Sequence, residues 1–554
     1  RLARLPAPAR ELLRAASVFG QSFWPAALAR AMPSHDKGQP PDELLQLLLE
    51  REWLTLARRA RFAGQTELNF RHALIREAAY ALLDEDARRL THRGAAEWLE
   101  EAGERDAAVL AEHWEIAGEL SRASVCFQRA AQQALESNDL SATLALAERA
   151  TSCGASGVTL AHVRVLQAEA HNWRAEHERA RELGEEAMAL FEAHEVDETH
   201  TADWTHAVEL VTWACADLGR ADEVERLGRE VLTHVKGNRS GLAAVALAHI
   251  VPHQLTVGNL SVASAIMDIL NEPAAGLIAQ DPATAAMLEF ARGSYARAHS
   301  RHAVSLHHYE RAAAHAADTG NDRLLLTLHA SSAAQREAVG DYEQAEKHLL
   351  VAADAISRLG VQDATLLANF GLVRLGLGQV AAADELLRAG LRLSTERGER
   401  RLQCYCRACL GRVLLLSGQA DAAETEARAA LAISEGFPTG EAYASAVLAC
   451  ALLAQARTAE AEAAARRAFG VVERGGVEDG EAFARLSFAE ALDANGRSSE
   501  ACDAISSAAE HLLARAAGLD EELRRKFLTR VPENARTLQL ASEWGCDIGG
   551  RVVS

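Results

Sequence analysis

Three cysteines, Cys404, Cys406 and Cys409, are the nearest approach to a metal cluster in the sequence. On a helix Cys406 and Cys409 share a face and Cys404 lies on another. A tetrahedral zinc ion would therefore need ligands from a neighbouring helix, such as Cys450. Packed helices account for the same pattern, since free cysteine is commonly buried as a small apolar residue. We favour packing and predict no metal site here.

Histidines form a second enrichment, at His299, His302, His307, His308 and His315. His299 and His302 would share a helix face, and so would His308 and His315. No carboxylate or cysteine lies at a ligand spacing beside them. We predict solvated or hydrogen-bonded histidines. His249 and His253 are also one helical turn apart, but we expect Pro252 to disturb the helix that would align them.

Motifs for phosphate chemistry are missing from the sequence. A phosphate-binding loop needs glycine-flanked amides and a lysine before Ser or Thr. No lysine has that spacing, and the lysines are Lys37, Lys236, Lys347 and Lys526. The kinase catalytic loop, its Asp-Phe-Gly and the Gly-x-Ser-x-Gly of hydrolases are absent too. We predict no catalytic, cofactor-binding or metal-binding residue, no cofactor, and no enzymatic activity in this chain.

The elements that would position any site are helical hairpins, and the clearest spans residues 325–359. Two amphipathic helical patterns meet at Gly340-Asp341-Tyr342. Glycine tolerates the left-handed backbone that ends a helix, and a small residue at Ala345 lets the second helix approach the first. Such a hairpin cannot bury its apolar face alone, so the sequence should repeat it.

The repeat is visible when the turn glycine and two later small residues are aligned. From residue 175 onward the anchors recur about every 38 to 44 residues, a period typical of helical repeats. The clear copies are Gly219/Val224/Val231, Gly258/Ala263/Leu270, Gly340/Ala345/Ala352, Gly378/Ala383/Gly390, Gly418/Ala423/Ala430 and Gly496/Ala501/Ala508. Weaker copies are Gly118/Ala123/Ala130, Ala175/Ala180/Ala187, Ala303/Leu306/Ala313 and Ala456/Ala461/Ala468.

This pattern resembles the tetratricopeptide-repeat family over roughly residues 105–515. The tyrosine of that family's motif is kept only at Tyr342, and its helix-ending proline is mostly missing. The resemblance implies an all-α superhelix that binds a protein or peptide on its concave face. Between residues 150 and 300 the pattern is less regular, and we interpret Trp173, Trp204 and Trp213 as helix-packing anchors, although some of them could line a pocket.

Composition agrees with many closely packed helices. Of the 554 residues 49% are hydrophobic but only 5% aromatic, and alanine and leucine dominate. The formal net charge of −20 argues against nucleic acid and anionic membranes as partners. Apolar stretches such as 242–251 and 446–454 are shorter than the roughly 20 residues that cross a bilayer.

The cysteines and the ends of the chain suggest where the protein acts. The nine cysteines show no secreted framework, so we expect a cytoplasmic protein without disulfides. Arginine greatly outnumbers lysine, which suggests a bacterial genome rich in G and C. The sequence begins with Arg1 and no signal peptide, and we expect it to be a piece of a longer protein.

Residues 1–85 differ from the repeats. Helices are predicted at 6–18, 24–32 and 42–50, the last opened by Pro40-Pro41, and a hairpin at 53–56 and 66–70 turns at Gly64. A further helix follows at 71–83, which completes a winged-helix pattern. Arg58, Arg59 and Arg61 on the wing suit DNA, but the third helix is acidic and leucine-rich where a groove-reading helix needs basic or amide side chains. We therefore argue against DNA binding.

A second resemblance rests on Phe70-Arg71-His72-Ala73-Leu74-Ile75-Arg76-Glu77-Ala78-Ala79-Tyr80. This run is similar to the segment that joins winged helix and repeats in large bacterial signalling ATPases of the STAND class. The stretches 90–99, with His92 and Trp98, and 108–118, with His113, fit its continuation, and 531–538 is similar to the end of kinase-linked members. In that family the winged helix follows an ATPase core, often with a Ser/Thr kinase, a nucleotide cyclase or a LuxR-type module.

These patterns predict three domains: a winged helix at 1–85, about ten hairpins at 86–515, and a capping helix pair at 516–554. The first functional hypothesis is a non-catalytic sensor or scaffold arm. It would bind a protein, a peptide or a small effector and signal to an ATPase or kinase module in the same chain. The alternatives are the effector-binding part of a LuxR-type transcription activator similar to the maltose regulator, and a free-standing adaptor.

Overall fold

In the computed structural model, the described residues are 4–32, 42–193, 198–235, 241–271, 281–317, 319–475, 477 and 479–546. At 198–200, 235 and 241–243 the backbone alone is described. The chain divides into two compact units, unit 1 of residues 1–170 and 189–194 and unit 2 of residues 171–188 and 195–554. Pro40, Pro41, Lys37 and Lys236, which the sequence analysis singled out, lie outside the described residues.

Unit 1 contains a small sheet followed by helices. Its strands are β1 (Ser22–Phe23), β2 (Leu54–Leu56) and β3 (Leu68–Phe70). Its helices are α1 (Ala7–Ala16), α2 (Pro25–Ala31), α3 (Asp42–Glu50), α4 (Ala73–Tyr80), α5 (Glu85–Ala102), α6 (Ala107–Ala117), α7 (Leu120–Glu136) and α8 (Leu140–Ser152). Two helices, α9 (Gly157–Trp173) and α10 (His177–Glu192), cross the boundary between the units.

The sheet of unit 1 is antiparallel, in the order β1-β3-β2. The sequence predicted the β2-β3 hairpin and missed β1, which is only two residues long and too short for an alternating pattern. Leu48 of α3 is buried in the core beneath this sheet, and Leu44, Leu45 and Leu49 pack against the same core. The leucines of α3 thus serve packing. The assignment of these elements to the winged-helix class stays a prediction.

Residues from the run 70–80 and from the stretches 90–99 and 108–118 lie close together in unit 1. The hydroxyl of Tyr80 lies 3.1 Å from Nε2 of His92, and Nδ1 of His92 lies 3.0 Å from Nδ1 of His113. The ring of Trp98 stacks on Trp24 with centroids 5.2 Å apart. Burial lowers the pKa of His92 to about 3 and that of His113 to about 4, so both rings stay neutral at pH 7. Here the motif supplies structural contacts.

Unit 2 continues the chain as helical hairpins. Its helices are α11 (Glu198–Leu218), α12 (Ala221–Val235), α13 (Gly241–Thr256), α14 (Leu260–Leu270), α15 (Pro282–Ala298), α16 (His302–Ala316), α17 (Asp322–Ala338), α18 (Tyr342–Leu359), α19 (Ala364–Gly376), α20 (Val380–Glu396), α21 (Arg400–Leu416), α22 (Ala420–Leu431), α23 (Pro438–Ala454), α24 (Thr458–Arg474), α25 (Glu481–Ala494), α26 (Ser498–Ala516), α27 (Glu521–Thr529) and α28 (Pro532–Glu543). The protein is therefore an all-α helical-repeat protein of tetratricopeptide type with a small sheet near its N-terminus.

The turns follow the predicted anchors. Gly340 joins α17 to α18 with φ of 74°, in the left-handed region, and the small residue Ala345 is fully buried. The weaker copies at Ala175 and Ala456 have φ of 57° and 61°, although neither is glycine. In the weak copy aligned at Ala303 the left-handed residue is Ser300, close before Ala303. A residue other than glycine tolerates this conformation at some cost.

Helix α13 corrects one prediction of the sequence analysis. It runs without a break from Gly241 to Thr256 and includes Pro252. Proline removes one backbone donor, but the remaining bonds hold the helix. The hydroxyl of Thr256 also donates to the carbonyl of Pro252 at 3.0 Å. His249 and His253 therefore do lie on one continuous helix.

Hairpins of unit 2 contact hairpins five places further along the chain. Arg401 of α21 bonds Asp217 of α11 at 2.6 Å. Arg297 of α15 bonds Asp479, which precedes α25. The hydroxyl of Tyr342 in α18 donates to the carbonyl of Arg530, which follows α27, at 3.2 Å. The repeats of unit 2 therefore wind on themselves, and successive turns of the winding are held together by polar contacts.

The C-terminal helices do more than cover the last repeat. Leu540 and Ala541 of α28 pack on α25 and α26. In the segment 531–538, Glu533 pairs with Arg412 of α21 at 2.7 Å, and Asn534 donates to the carbonyl of Phe527 at 2.9 Å. The segment thus connects the end of the chain to earlier repeats.

A disulfide between Cys502 and Cys546 contradicts the expectation of none. It joins α26 to the residues after α28, across 44 residues of sequence. No sequence pattern indicates this bond, because the two cysteines become neighbours only when α28 packs against α26. Among the described residues, no helix combines the length and the hydropathy that a bilayer crossing requires.

Candidate functional site

A cavity of about 230 Å³ lies inside unit 2 and is the candidate site. Its walls come from the first helix of successive hairpins, α13 to α21, and from the residues around the starts of α23 and α25. The lining residues are Thr256, Arg297, Ala330, Ser331, Ala334, Thr365, Asn369, Arg401, Leu402, Tyr405, Phe437, Thr439, Gly440 and Asp479. The cavity exists because the repeats wind on themselves and bring these helices together.

Polar groups in the cavity include an amide, hydroxyls and charges. Asn369 donates to the carbonyl of Ala330 across a long 3.4 Å, and its side-chain oxygen is a further acceptor. The two arginines, Arg297 and Arg401, pair with Asp479 and Asp217. Apolar surface comes from residues such as Phe437 and Leu402. Ligand pockets are usually mostly apolar with a few placed polar groups, so the large polar share of this cavity favours a polar ligand.

The pKa values of several ionisable groups around the cavity are strongly shifted by burial and by neighbouring charges. Burial would raise the pKa of Asp217, but Arg401 and His177 outweigh burial and hold it at about 2. Burial raises the pKa of Glu399 to about 7 against the opposing charge of Arg397. Burial also raises the pKa of Tyr405 well above its ordinary value. Asp217 therefore stays charged and Tyr405 stays protonated at pH 7, so the cavity offers hydrogen-bonding groups.

An aromatic wall borders the ion pair of Asp217 and Arg401. Trp173 and Trp213 meet edge to face with centroids 5.2 Å apart, and His253 stacks on Trp213 at 6.2 Å. The indole nitrogen of Trp213 donates to Asp217 at 2.9 Å. Trp204, by contrast, is 4% exposed and serves packing, as the sequence predicted. Trp173 and Trp213 are only half-buried.

The cysteine group is part of the core of the repeats. Cys404, Cys406 and Cys409 are fully buried in α21, and the thiol of Cys404 donates to the carbonyl of Ala430. Burial raises the pKa of Cys404, Cys406 and Cys450 to about 12, so these thiols are protonated at pH 7. Among the described residues, no three His, Cys, Asp or Glu side chains converge on one point as a metal site requires.

The histidine group separates in the structure. His302 is buried between Gln335 and Arg515, while His308 bonds Glu289 at 2.7 Å. His299 bonds the carbonyl of Tyr295 at 2.8 Å. Each of these rings has its own partners, and the group forms no common site.

Of the lysines, Lys347 is exposed on α18 and Lys526 pairs with Asp341. Neither belongs to a phosphate-binding loop. On the N-terminal hairpin, Arg61 pairs with Glu104 at 2.6 Å, which engages one of the arginines that suggested DNA. Arg58 and Arg59 are exposed.

The cavity residues were missed by sequence reasoning. Asn369, Arg401 and Tyr405 belong to no motif, and they meet only through the winding of the repeats. One weak signal was present, since Thr365 and Asn369, and likewise Arg401 and Tyr405, lie four residues apart and so share a helix face. Such pairs are too common on helices to identify a site.

No protein-family model matches the chain, and no curated protein matches it significantly. Among solved structures, the chain is similar to a signal transduction ATPase with numerous domains (STAND) with a tetratricopeptide-repeat sensor from Pyrococcus horikoshii. The identity is 14% and the TM-score 0.45, over 78% of this chain and 64% of that one. The chain thus spans about two-thirds of that protein's length.

Two further similarities are to solved complexes. A Rap protein complexed with competence and sporulation factor has 13% identity and a TM-score of 0.42, over 61% of this chain and 99% of that one. NprR in complex with its cognate peptide NprX has 11% identity and a TM-score of 0.38, over 52% of this chain and 85% of that one. Similarities of this size assign no family and no function to the chain.

Proposed function

We propose that the chain is a non-catalytic sensor or scaffold arm of a signalling protein and that its ligand binds in the cavity of unit 2. The observation that carries the proposal is the cavity itself, which five or more consecutive repeats build from amide, hydroxyl and charged side chains. Its volume of about 230 Å³ is below the roughly 300 Å³ at which pockets for drug-sized ligands begin. The size favours a small polar effector or a short segment of a peptide over a folded protein.

The same cavity explains how binding would be transmitted. Its walls belong to hairpins that are adjacent in sequence and to hairpins one winding apart, so a ligand between them changes how they rotate against one another. Small rotations add along a repeat array. In the proposed full-length protein the change reaches an ATPase or Ser/Thr kinase module upstream through the winged-helix elements.

Ligand screening with a matched pair of variants tests the site. The full chain is screened by thermal shift against short peptides and polar metabolites, and each ligand found is titrated against Asn369→Leu and Gln362→Leu. Asn369 lines the cavity, whereas Gln362 is exposed on the approach to the same helix. Asn369→Leu should weaken binding at least tenfold, and Gln362→Leu should leave it unchanged. A ligand that binds both variants equally contradicts the cavity as its site.

The coding sequence on either side of the region for residues 1–554 distinguishes the sensor arm from the alternative functions. A nucleotide-binding loop with a kinase encoded upstream supports the sensor arm. A basic helix-turn-helix encoded downstream supports the effector-binding part of a LuxR-type activator. An initiator methionine directly before Arg1 supports a free-standing adaptor.

A further inference from the structure

Helix α27 lies on a surface built by much earlier repeats. This surface, called here the corner surface, consists of Leu306, Val339, Asp341, Tyr342 and Glu343, from α16 and the α17–α18 turn. The backbone approach is close, since a Cβ at Gly340 would lie 2.9 Å from the carbonyl oxygen of Lys526. A nine-residue helix seldom forms alone in water, so the surface holds α27 in its helical form.

The polar contacts between α27 and the corner surface are complementary in charge. Lys526 pairs with Asp341 at 3.0 Å. Arg530 forms two parallel bonds to the carboxylate of Glu343, at 2.7 and 2.8 Å, and its guanidinium lies 5.1 Å from the ring centre of Tyr342. The surface therefore presents two carboxylates and an aromatic ring to cations spaced four residues apart on one helix face.

The buried apolar residue of the same helix is Phe527, and Leu523 and Leu528 are partly buried beside it. Phe527 is 2% exposed and packs with Leu306 and Val339. Its ring lies 5.3 Å from that of His302. An aromatic anchor between two flanking cations is a compact recognition pattern for an amphipathic helix in a groove.

The two ion pairs of α27 differ in burial, since the side chains of Lys526 and Asp341 are only 14% and 3% exposed. Glu343 is 55% exposed, so its pair with Arg530 is screened by water. The disulfide of Cys502 and Cys546 and the packing of α28 on α25 keep the segment attached when α27 leaves. Because α27 stays attached near the corner surface, its effective concentration there is high, and a helix of another protein must compete with it for this surface.

We propose that the corner surface is a docking site for a basic amphipathic helix of a partner protein, and that α27 occupies it as an internal substitute for that partner. The inference rests on the proposed function of the repeats as a binding module and names the class of partner. The partner's helix carries an aromatic residue flanked by Lys or Arg, as in Lys526-Phe527 with Arg530. The corner surface is separate from the cavity lining, so the two sites can be tested apart.

A labelled peptide with the chain's own sequence 519–534 serves as the probe, and its binding to the full chain is followed by fluorescence anisotropy. Lys526→Glu/Arg530→Glu should release α27 and expose the surface. This variant should bind the peptide at least tenfold more tightly than the wild-type chain does. The matched control, Arg524→Glu/Arg525→Glu, reverses two exposed charges on the same helix and should behave as wild type.

Several outcomes would overturn the inference. They are equal binding by the released variant, the control and the wild type, and tight binding of a peptide that carries the two reversed charges. Hydrogen exchange across 521–529 that is unchanged in the variant would show that these pairs do not hold α27. If the variant does not fold, Phe527→Ala removes the anchor and leaves the surface intact, and it should give the same gain. A wild-type dimer that exchanges α27 between copies would make a second copy the occupant.

Discussion

At the scale of single residues, the side chains that stood out in the sequence take part in packing and hydrogen bonding. Tyr80, His92 and His113, which carry the resemblance to signalling ATPases, form one hydrogen-bonded chain in unit 1. Cys404 and its neighbours fill space between helices. Asn369, in contrast, has no motif and lines the cavity. Sequence reasoning could identify types and spacing, but it could not show which side chains the winding brings together.

The histidine pair of unit 1 predicts a loss of stability in acid. Burial lowers the pKa of His92 and His113 to about 3 and 4, below the ordinary 6.5, so the folded state favours the neutral rings. The stabilisation is complete above pH 6.5 and is lost as the pH falls toward these values. At pH 4.5, two units below 6.5, the loss is about 2.6 kcal/mol per histidine, at 1.36 kcal/mol per pKa unit.

Urea unfolding of unit 1, followed through Trp98 and its neighbours between pH 7.5 and 4.5, measures this loss. His113→Gln should be less stable than wild type at pH 7.5 and should lose less on acidification. His307→Gln, at an exposed position, serves as the control and should follow wild type. Parallel curves for wild type and His113→Gln would refute the assignment.

At the scale of elements, the hairpins were predictable and their partners were not. The turn at Gly340 and the buried Ala345 follow from local pattern, because glycine tolerates a left-handed backbone and alanine permits close packing. Pro252 was expected to disturb α13, yet the helix continues through it. The contact of Gly340 with Lys526 and the bond of Cys502 to Cys546 join distant segments, and no local pattern encodes them.

Alanine substitutions at two turn glycines distinguish the backbone strain of a left-handed residue from the cost of a side chain that crowds α27. Gly340 and Gly378 have φ of 74° and 77°, so alanine at either position costs about 1 kcal/mol of backbone strain. A Cβ at Gly378 meets nothing within 4 Å, whereas one at Gly340 meets the carbonyl of Lys526. We expect Gly340→Ala to lower the free energy of unfolding by at least about 1 kcal/mol more than Gly378→Ala, since overpacking adds to strain.

Chemical denaturation of the two variants under the same conditions measures the difference. Hydrogen exchange should also rise across 521–529 in Gly340→Ala and stay unchanged in Gly378→Ala. Equal destabilisation by both substitutions would mean that α27 does not press on this turn.

At the scale of the whole molecule, winding of the repeats in unit 2 creates the candidate site. Repeats of one period predict a superhelix, but they do not fix how many hairpins complete a turn. Polar pairs such as Arg401 with Asp217 close the winding at a separation of five hairpins. The sequence could therefore predict the class of fold, while the cavity required the structure.

The absence of a phosphate-binding loop from the sequence leads to a prediction for the whole chain. We expect residues 1–554 alone neither to bind nor to hydrolyse ATP, because no lysine has the required glycine spacing. Binding of a fluorescent ATP analogue and release of phosphate are the measurements. Turnover that persists through repeated purification and follows the protein peak would contradict this prediction.

The distance between two turns of the winding shows whether the repeats of unit 2 wind on themselves. Spin labels are placed at the exposed positions Asp222 and Glu435, beside the close approach of Gly219 to Phe437, and pulsed electron spin resonance gives their separation. A sample without the introduced cysteines measures labelling of the native thiols. We expect one short, narrow distance from the wound repeats. A separation of about 40–50 Å, which five unwound hairpins with neighbouring helices 8–10 Å apart would give, would contradict both the winding and the cavity.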